Sequence, residues 1–224
     1  MTKPCPIYSA SLSRYQSPEI EMKTTRVAIP MSVISAFMLS GISGLMYQVC
    51  WQRLLFTNFG VDVHSVTVLV SAFMAGLGIG GWAGGRIADK AGRWCLHVFV
   101  GVELALCLLG LISHRAILWV GEVTPLDSMW LPGMVNFILL LPPTFLMGMT
   151  LPLLTTYFAK NKSEVGSAIG GLYTINTVGA AAGVVFAGFI AFNFMTIADV
   201  IRVAALGNFI VAIGMVIYLS KEKA

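Results

Sequence analysis

Apolar residues along this chain come in long unbroken runs separated by short polar gaps. Five of the runs, Val27 to Gln52, Val63 to Gly85, Ser128 to Ala159, Val165 to Ala198 and Val203 to Ser220, contain no Asp, Glu, Lys or Arg. A sixth, Trp94 to His114, contains one such residue, Glu103. About 30 Å of hydrocarbon at 1.5 Å per residue needs about 20 residues of helix, so each run is long enough to cross a bilayer. The runs are too long for barrel strands and lack their in–out alternation. The pattern therefore predicts an all-α polytopic membrane protein with a polar N-terminal tail over 1–26, six transmembrane helices within 27–220 and a C-terminal tail over 221–224.

The tail ahead of Val27 holds Pro4, Pro6, Pro18 and several serines, and it reads as a disordered or interfacial segment. It lacks the short apolar region and small-residue cleavage site of a signal peptide, so the first run is expected to remain as a span. Composition agrees with a chain that faces lipid. Of 224 residues 57% are hydrophobic and 11% charged, against roughly a quarter charged in a soluble domain. The net charge of +4 is no nucleic-acid signal, because the basic residues lie in the gaps between runs. Counted gap by gap, Lys and Arg number eleven on one side and three on the other, which puts both termini in the cytoplasm by the positive-inside rule; the cell inner membrane is the expected location. Trp51, Trp94, Trp119 and Trp130 near the run ends suit an aromatic belt. Cys5, Cys50, Cys95 and Cys107 show no CxxC spacing, and His64, His97 and His114 show no metal-ligand spacing. We expect no metal, no cofactor and no catalytic nucleophile.

Three spans followed by three spans would run inverted relative to each other, and the glycines hint at such a duplication. Gly76, Gly80 and Gly84 recur every fourth residue in span 2, and Gly179 and Gly183 do so about a hundred residues later in span 5. A 3+3 inverted repeat of the transporter type has that form; small-xxx-small spacing also serves ordinary close helix packing. Glu103 is the residue that stands out for chemistry, since a carboxylate at the bilayer centre costs at least about 2.5 kcal/mol. It suits a proton-coupling or cation-binding carboxylate, or a structural one hydrogen-bonded to a neighbouring helix. Pro142 and Pro143 in span 4 remove helical hydrogen bonds and predict a break or kink. Tyr173, Asn176 and Thr177 share one face of span 5, as a cavity wall or as an interhelical polar seam. In span 1, Tyr47, Gln48 and Trp51 read mainly as anchoring residues and, were they on a pathway, as a cation site.

Gly85, Asp89, Lys90, Gly92 and Arg93 lie between spans 2 and 3 in the form G-x-x-x-D-[KR]-x-G-[RK]. This resembles the signature loop of the major facilitator superfamily, where the acidic residue caps a facing helix and the basic ones latch the cytoplasmic side. Trp94 stands where that family has a further basic residue. More of the chain, in the stretches SGISGLMYQVCWQRLL, AFMAGLGIGGWAGGRIAD, LLLPPTFLMGMTLPLL and GGLYTINTVGAAAGVVFAGF, is similar to the integral membrane region fused ahead of spermidine-synthase-like domains in bacterial proteins. The resemblance spans nearly all of Val33 to Tyr218. It implies a half-sized relative of the major facilitator fold with a link to polyamines. Gln48 replaces a glutamate common in that family, and no glycine-rich strand–turn–helix unit for a nucleoside cofactor is present, so aminopropyl transfer is not implied.

Together these readings lead to two expectations. The first is a non-enzymatic transporter of a small cationic, polyamine-like solute, working by alternating access as a homodimer of half-transporters and coupled to protons through Glu103. The second is a membrane anchor or regulatory subunit for a separately encoded soluble synthase, with Lys3, Arg14, Lys23 and Arg26 of the tail as its docking or lipid-contact segment.

Overall fold

The computed structural model describes residues 29–59, 63–123, 130–159 and 162–222. The tail over 1–26, with Lys3, Arg14, Lys23 and Arg26, lies outside the described residues. Among those residues the structure is helical, without strands: α1 (Met31–Phe59), α2 (Val63–Ala91), α3 (Cys95–Val123), α4 (Trp130–Phe158), α5 (Lys162–Val185), a short α6 (Phe192–Phe194) and α7 (Ile197–Glu222). A 3-10 turn, Gly92–Trp94, joins α2 to α3, and a π-helical stretch, Phe186–Ala191, carries α5 into α6. Five apolar helical stretches are long enough to cross a membrane, Met31–Asn58, His64–Val123, Trp130–Phe158, Val165–Phe194 and Ile197–Glu222. The chain is thus an all-α multi-pass membrane protein. At 60 residues, His64–Val123 is about three times the length that one crossing requires. It is divided at Gly92, whose φ of 49° ends α2 in the left-handed conformation that a side chain would disfavour.

Local chemistry explains the other boundaries. Pro30 precedes α1 and its carbonyl accepts from the Val33 and Ile34 N–H groups at 2.9 and 3.1 Å. At the start of α7 the Thr196 hydroxyl donates to Asp199 Oδ2 at 2.6 Å, and the Asp199 N–H donates back to Thr196 Oγ at 3.2 Å, a reciprocal cap of the capping-box kind. Arg202 pairs with the same aspartate at 2.7 Å. The break expected at Pro142 and Pro143 is absent, since α4 runs continuously through both and through Pro152. Next to them Thr144 directs its hydroxyl at the carbonyls of Leu140 (2.9 Å), Leu141 (3.0 Å) and, across the helix interface, Ala72 (3.1 Å). A helical proline is tolerated in lipid where neighbouring hydroxyls and helices hold the altered backbone in place.

Two helix pairs make the closest approaches. α2 packs along α4, with Gly80 against the Phe145 carbonyl and Gly84 so close that an added Cβ would lie 2.7 Å from Met149 Cα. α1 packs along α5, with Gly179 against the Met38 carbonyl and Gly183 against the Ile42 carbonyl. Both pairs are parallel: Gly133 lies near Val68 and Thr144 near Gly76 in one, and the Arg53 guanidinium covers the Phe192 ring at 3.8 Å beyond the Ile42–Gly183 contact in the other. α3 and α7 pack on each other, α7 on α1, and α3 on α4. One apolar core joins Phe37, Leu96, Phe99, Met215 and Leu219; a second joins Trp51, Ile117, Val200 and Ile201. α1 and α3 therefore run from the first core to the second, and α7 runs back.

Gly80→Val and Gly183→Val should each destabilise the protein by about 1–3 kcal/mol through overpacking, whereas Gly78→Ala, whose Cβ would meet nothing within 4 Å, should not. Thermal unfolding in detergent checks this; equal losses at the three positions would refute the close-approach account.

Candidate functional site

Ser40, Ser43, Tyr47 and Trp51 recur at three- and four-residue steps on one face of α1, and Glu103, Gly110 and Ser113, spaced by seven and three residues, share one face of α3, so the two faces meet as a polar seam. At one end of the seam Glu103 is completely buried. The Ser40 hydroxyl donates to its Oε1 at 2.6 Å, and the Asn208 amide of α7 donates to its Oε2 at 2.8 Å. Three helices thus converge on one carboxylate. Further along, the Trp51 indole N–H donates to Ser113 Oγ at 2.8 Å, and Ser113 passes its own hydrogen to the Gly110 carbonyl at 2.6 Å. Tyr47 stacks on Trp51 with ring centres 5.7 Å apart, over the space that Gly110 leaves open. Asn58 closes the seam, donating to the Ile117 carbonyl at 3.1 Å. The Tyr47 hydroxyl and Asn208 Oδ1 are buried without a hydrogen-bond partner among the described residues.

Both partners of Glu103 are neutral donors. Hydrogen bonds lower the cost of burying a carboxylate, but its charge is cancelled only by a proton or another cation. The arrangement is therefore a one-charge site, able to take up one proton. Among the described residues no three His, Cys, Asp or Glu side chains cluster to hold a metal ion.

The other residues singled out from the sequence fall elsewhere. Tyr47 and Trp51, read as interfacial anchors, are fully buried between α1 and α3; the bulk that suited them to an interface fills the core instead. Gln48 is half-buried on the neighbouring face. Asn176 lies against Gly41, on the α5 side of α1 at the height of Ser40. Tyr173 and Thr177 do not line a cavity within this bundle: Tyr173 is 60% exposed and Thr177 is exposed beside it. Pro142 is exposed and Pro143 is buried. Of the glycine–acid–basic motif, Gly85, Asp89 and Lys90 belong to the last turns of α2 rather than to a loop, and only Gly92 and Arg93 lie in the connecting turn. Asp89 is exposed. Arg86 sits over the Trp82 ring at 3.8 Å, and Arg93 is 5.7 Å from the ring of Trp94.

Ser40 and Asn208 were not among the sequence candidates. For Asn208 a signal existed: it is the only Asn, Gln or charged residue between Val203 and Ser220. Ser40 carries no such mark. A separate cleft of about 390 Å³ lies at the end of the bundle where α3 begins and α4 and α7 finish, lined by Arg93, Trp94, His97, Tyr157, Leu219 and Glu222. There the Tyr157 hydroxyl donates to Glu222 and ties α4 to α7.

Replacing Glu103 with Leu strands two buried donors and should cost about 1–3 kcal/mol for each. Glu103→Gln keeps an acceptor and should cost clearly less. Thermal unfolding of the two variants reads the difference, and equal losses would mean that the hydrogen bonds contribute nothing to the fold.

Compared with protein families, with curated proteins and with solved structures, the chain finds no match, so a functional reading has to come from the chemistry of the site itself.

Proposed function

We propose that the protein is a half-sized transporter that moves a small cationic, polyamine-like solute by alternating access, coupled to protons at Glu103. The observation that carries this reading is the completely buried carboxylate held by two neutral donors where α1, α3 and α7 meet. Intramembrane acids with no charged partner are expensive, and ion or proton pathways are where they are commonly retained.

The helix arrangement supports an inverted repeat of three plus three spans. In this reading α2 and α3 cross separately, α1 corresponds to α4, α2 to α5, and α3 to α7. Exchanging the halves then turns the close pair α2–α4 into the close pair α5–α1, and turns α3–α4 into α7–α1, each of which is a packed pair. The match extends to residues: Gly80 on the Phe145 carbonyl and Gly183 on the Ile42 carbonyl are the same contact displaced by 103 positions in both partners. Inverted halves related in this way can exchange conformations and open a central site to either side.

A homodimer follows from the exposure of α5. Its most apolar window is 22% buried, against 39–50% in the other stretches, and Tyr173, Thr174 and Thr177 stand exposed on it. Polar groups of a membrane helix gain by meeting another helix rather than lipid tails, so a second copy covers this face and supplies the other wall of the pathway. In this reading the protein sits in the inner membrane with both termini facing the cytoplasm, and it has no enzymatic activity. The rival reading, an anchor for a separately encoded synthase-like enzyme, draws on the cleft at Arg93, Trp94 and Glu222 as a docking point.

The deciding experiment measures flux of labelled putrescine and spermidine into liposomes holding the purified protein, with and without an imposed pH gradient. Wild type should show gradient-dependent uptake that Glu103→Gln abolishes. Absence of flux from well-folded wild type would overturn the transport reading, and co-purification of a soluble enzyme from native membranes would then favour the anchor.

A further inference from the structure

We propose that Asn208 is the counterpart of Glu103 in the second half of the chain, and that the one-charge site has two interchangeable addresses, one on each half. The inference rests on the internal repeat proposed above and adds the identity of its central contact.

The burial pattern supports the correspondence. Cys95, Phe99, Leu106 and Gly110 are buried positions of α3, and a single shift of 105 places them on Val200, Ala204, Val211 and Met215, all buried in α7. The same shift places Glu103 on Asn208. A shift of 103 relates α2 to α5 through Gly80 and Gly183. The two extra residues enter between α5 and α7, the interval that contains the π-helical stretch Phe186–Ala191, and a π turn is wider than an α turn and takes up additional residues.

Equivalent residues of two halves touch each other only where the two-fold relation passes between them. Glu103 and Asn208 do touch, at 2.8 Å, and α3 and α7 run in opposite directions there, as inverted halves require. Asn208 is thus a positioning residue: its amide holds the carboxylate on the line about which the halves are related. A charge at that point has the same relation to both membrane faces when the halves exchange conformations. α1 provides for either address, with the Ser40 hydroxyl on Glu103 and the buried Ser43 hydroxyl lying against Gly207, the neighbour of Asn208. An acid at 208 with an amide at 103 would therefore keep one carboxylate, one amide donor and one serine within reach.

The test is a swap carried out on the full chain. Glu103→Asn removes the acid, Asn208→Glu sets two acids side by side, and the double variant restores one of each. Melting temperatures in detergent should fall by several degrees in both single variants and recover most of that loss in the double, a non-additivity expected only of residues that share one interaction. Losses that add in the double variant overturn the proposal. If Glu103→Asn does not fold at all, recovery of folded protein on adding Asn208→Glu supports the exchange, and failure to recover overturns it. Gradient-driven putrescine uptake, lost in Glu103→Asn and regained in the double, is the readout that a merely structural pair would not move. Should wild type show no flux, the transport reading falls, while the melting temperatures still decide the exchange.

Discussion

In a bilayer the hydrophobic effect does not press helices together, because lipid tails are as apolar as leucine, and association depends on how closely backbones can approach. Everything else in this structure depends on the glycine faces that permit that approach. α2 reaches α4 and α1 reaches α5 because Gly80, Gly84, Gly179 and Gly183 leave room for a neighbouring backbone. With those two pairs formed, α1 and α4 are placed to receive α3 and α7. The remaining polar groups can then be buried as a seam rather than scattered, since each finds its partner on a helix already held in position.

The seam illustrates how sparse polar chemistry works in such an interior. Trp51, Ser113 and the Gly110 carbonyl form a short relay in which each member satisfies the next. Glu103 is different in kind, because its donors leave the charge itself unbalanced. A carboxylate kept under those conditions fixes how three helices meet, at a cost in desolvation that its two hydrogen bonds offset only in part.

Much of the architecture was legible in the chain, and the reason is physical. Lipid enforces helices with all backbone groups paired internally, so each of the six apolar runs falls within or across helical segments, and the spacing of Gly76, Gly80 and Gly84 anticipated a contact face. Glu103 was legible for the same reason, as the lone acid of an apolar run. What stayed hidden is which face of each helix turns inward. Tyr173, Asn176 and Thr177 share a stripe by spacing, yet Asn176 meets α1 and Tyr173 points away, because spacing fixes relative and not absolute rotation. Trp51 was misplaced at the interface because an aromatic near the end of a run looks the same whether it anchors or packs. Pro142 and Pro143 did not break α4, because a membrane helix packed against its neighbours tolerates the loss of the hydrogen bonds that proline removes. Ser40 could not have been picked out, because its role exists only once α1, α3 and α7 are together.

The pairing of α2 with α4 and of α1 with α5 also bears on how the protein is made. Helices enter the membrane in the order of synthesis, but α1 and α2 find their closest neighbours in segments translated much later. Gly80 waits for Phe145, and Met38 waits for Gly179. Until then the faces of α1 and α2 that later meet α5 and α4 lie against lipid or against whatever assists insertion, and the first half is held by its α1–α3 seam. The interleaving that makes the bundle one unit thus makes the early helices dependent on later ones: until α4 and α5 arrive, the membrane holds α1 and α2 without their closest neighbours.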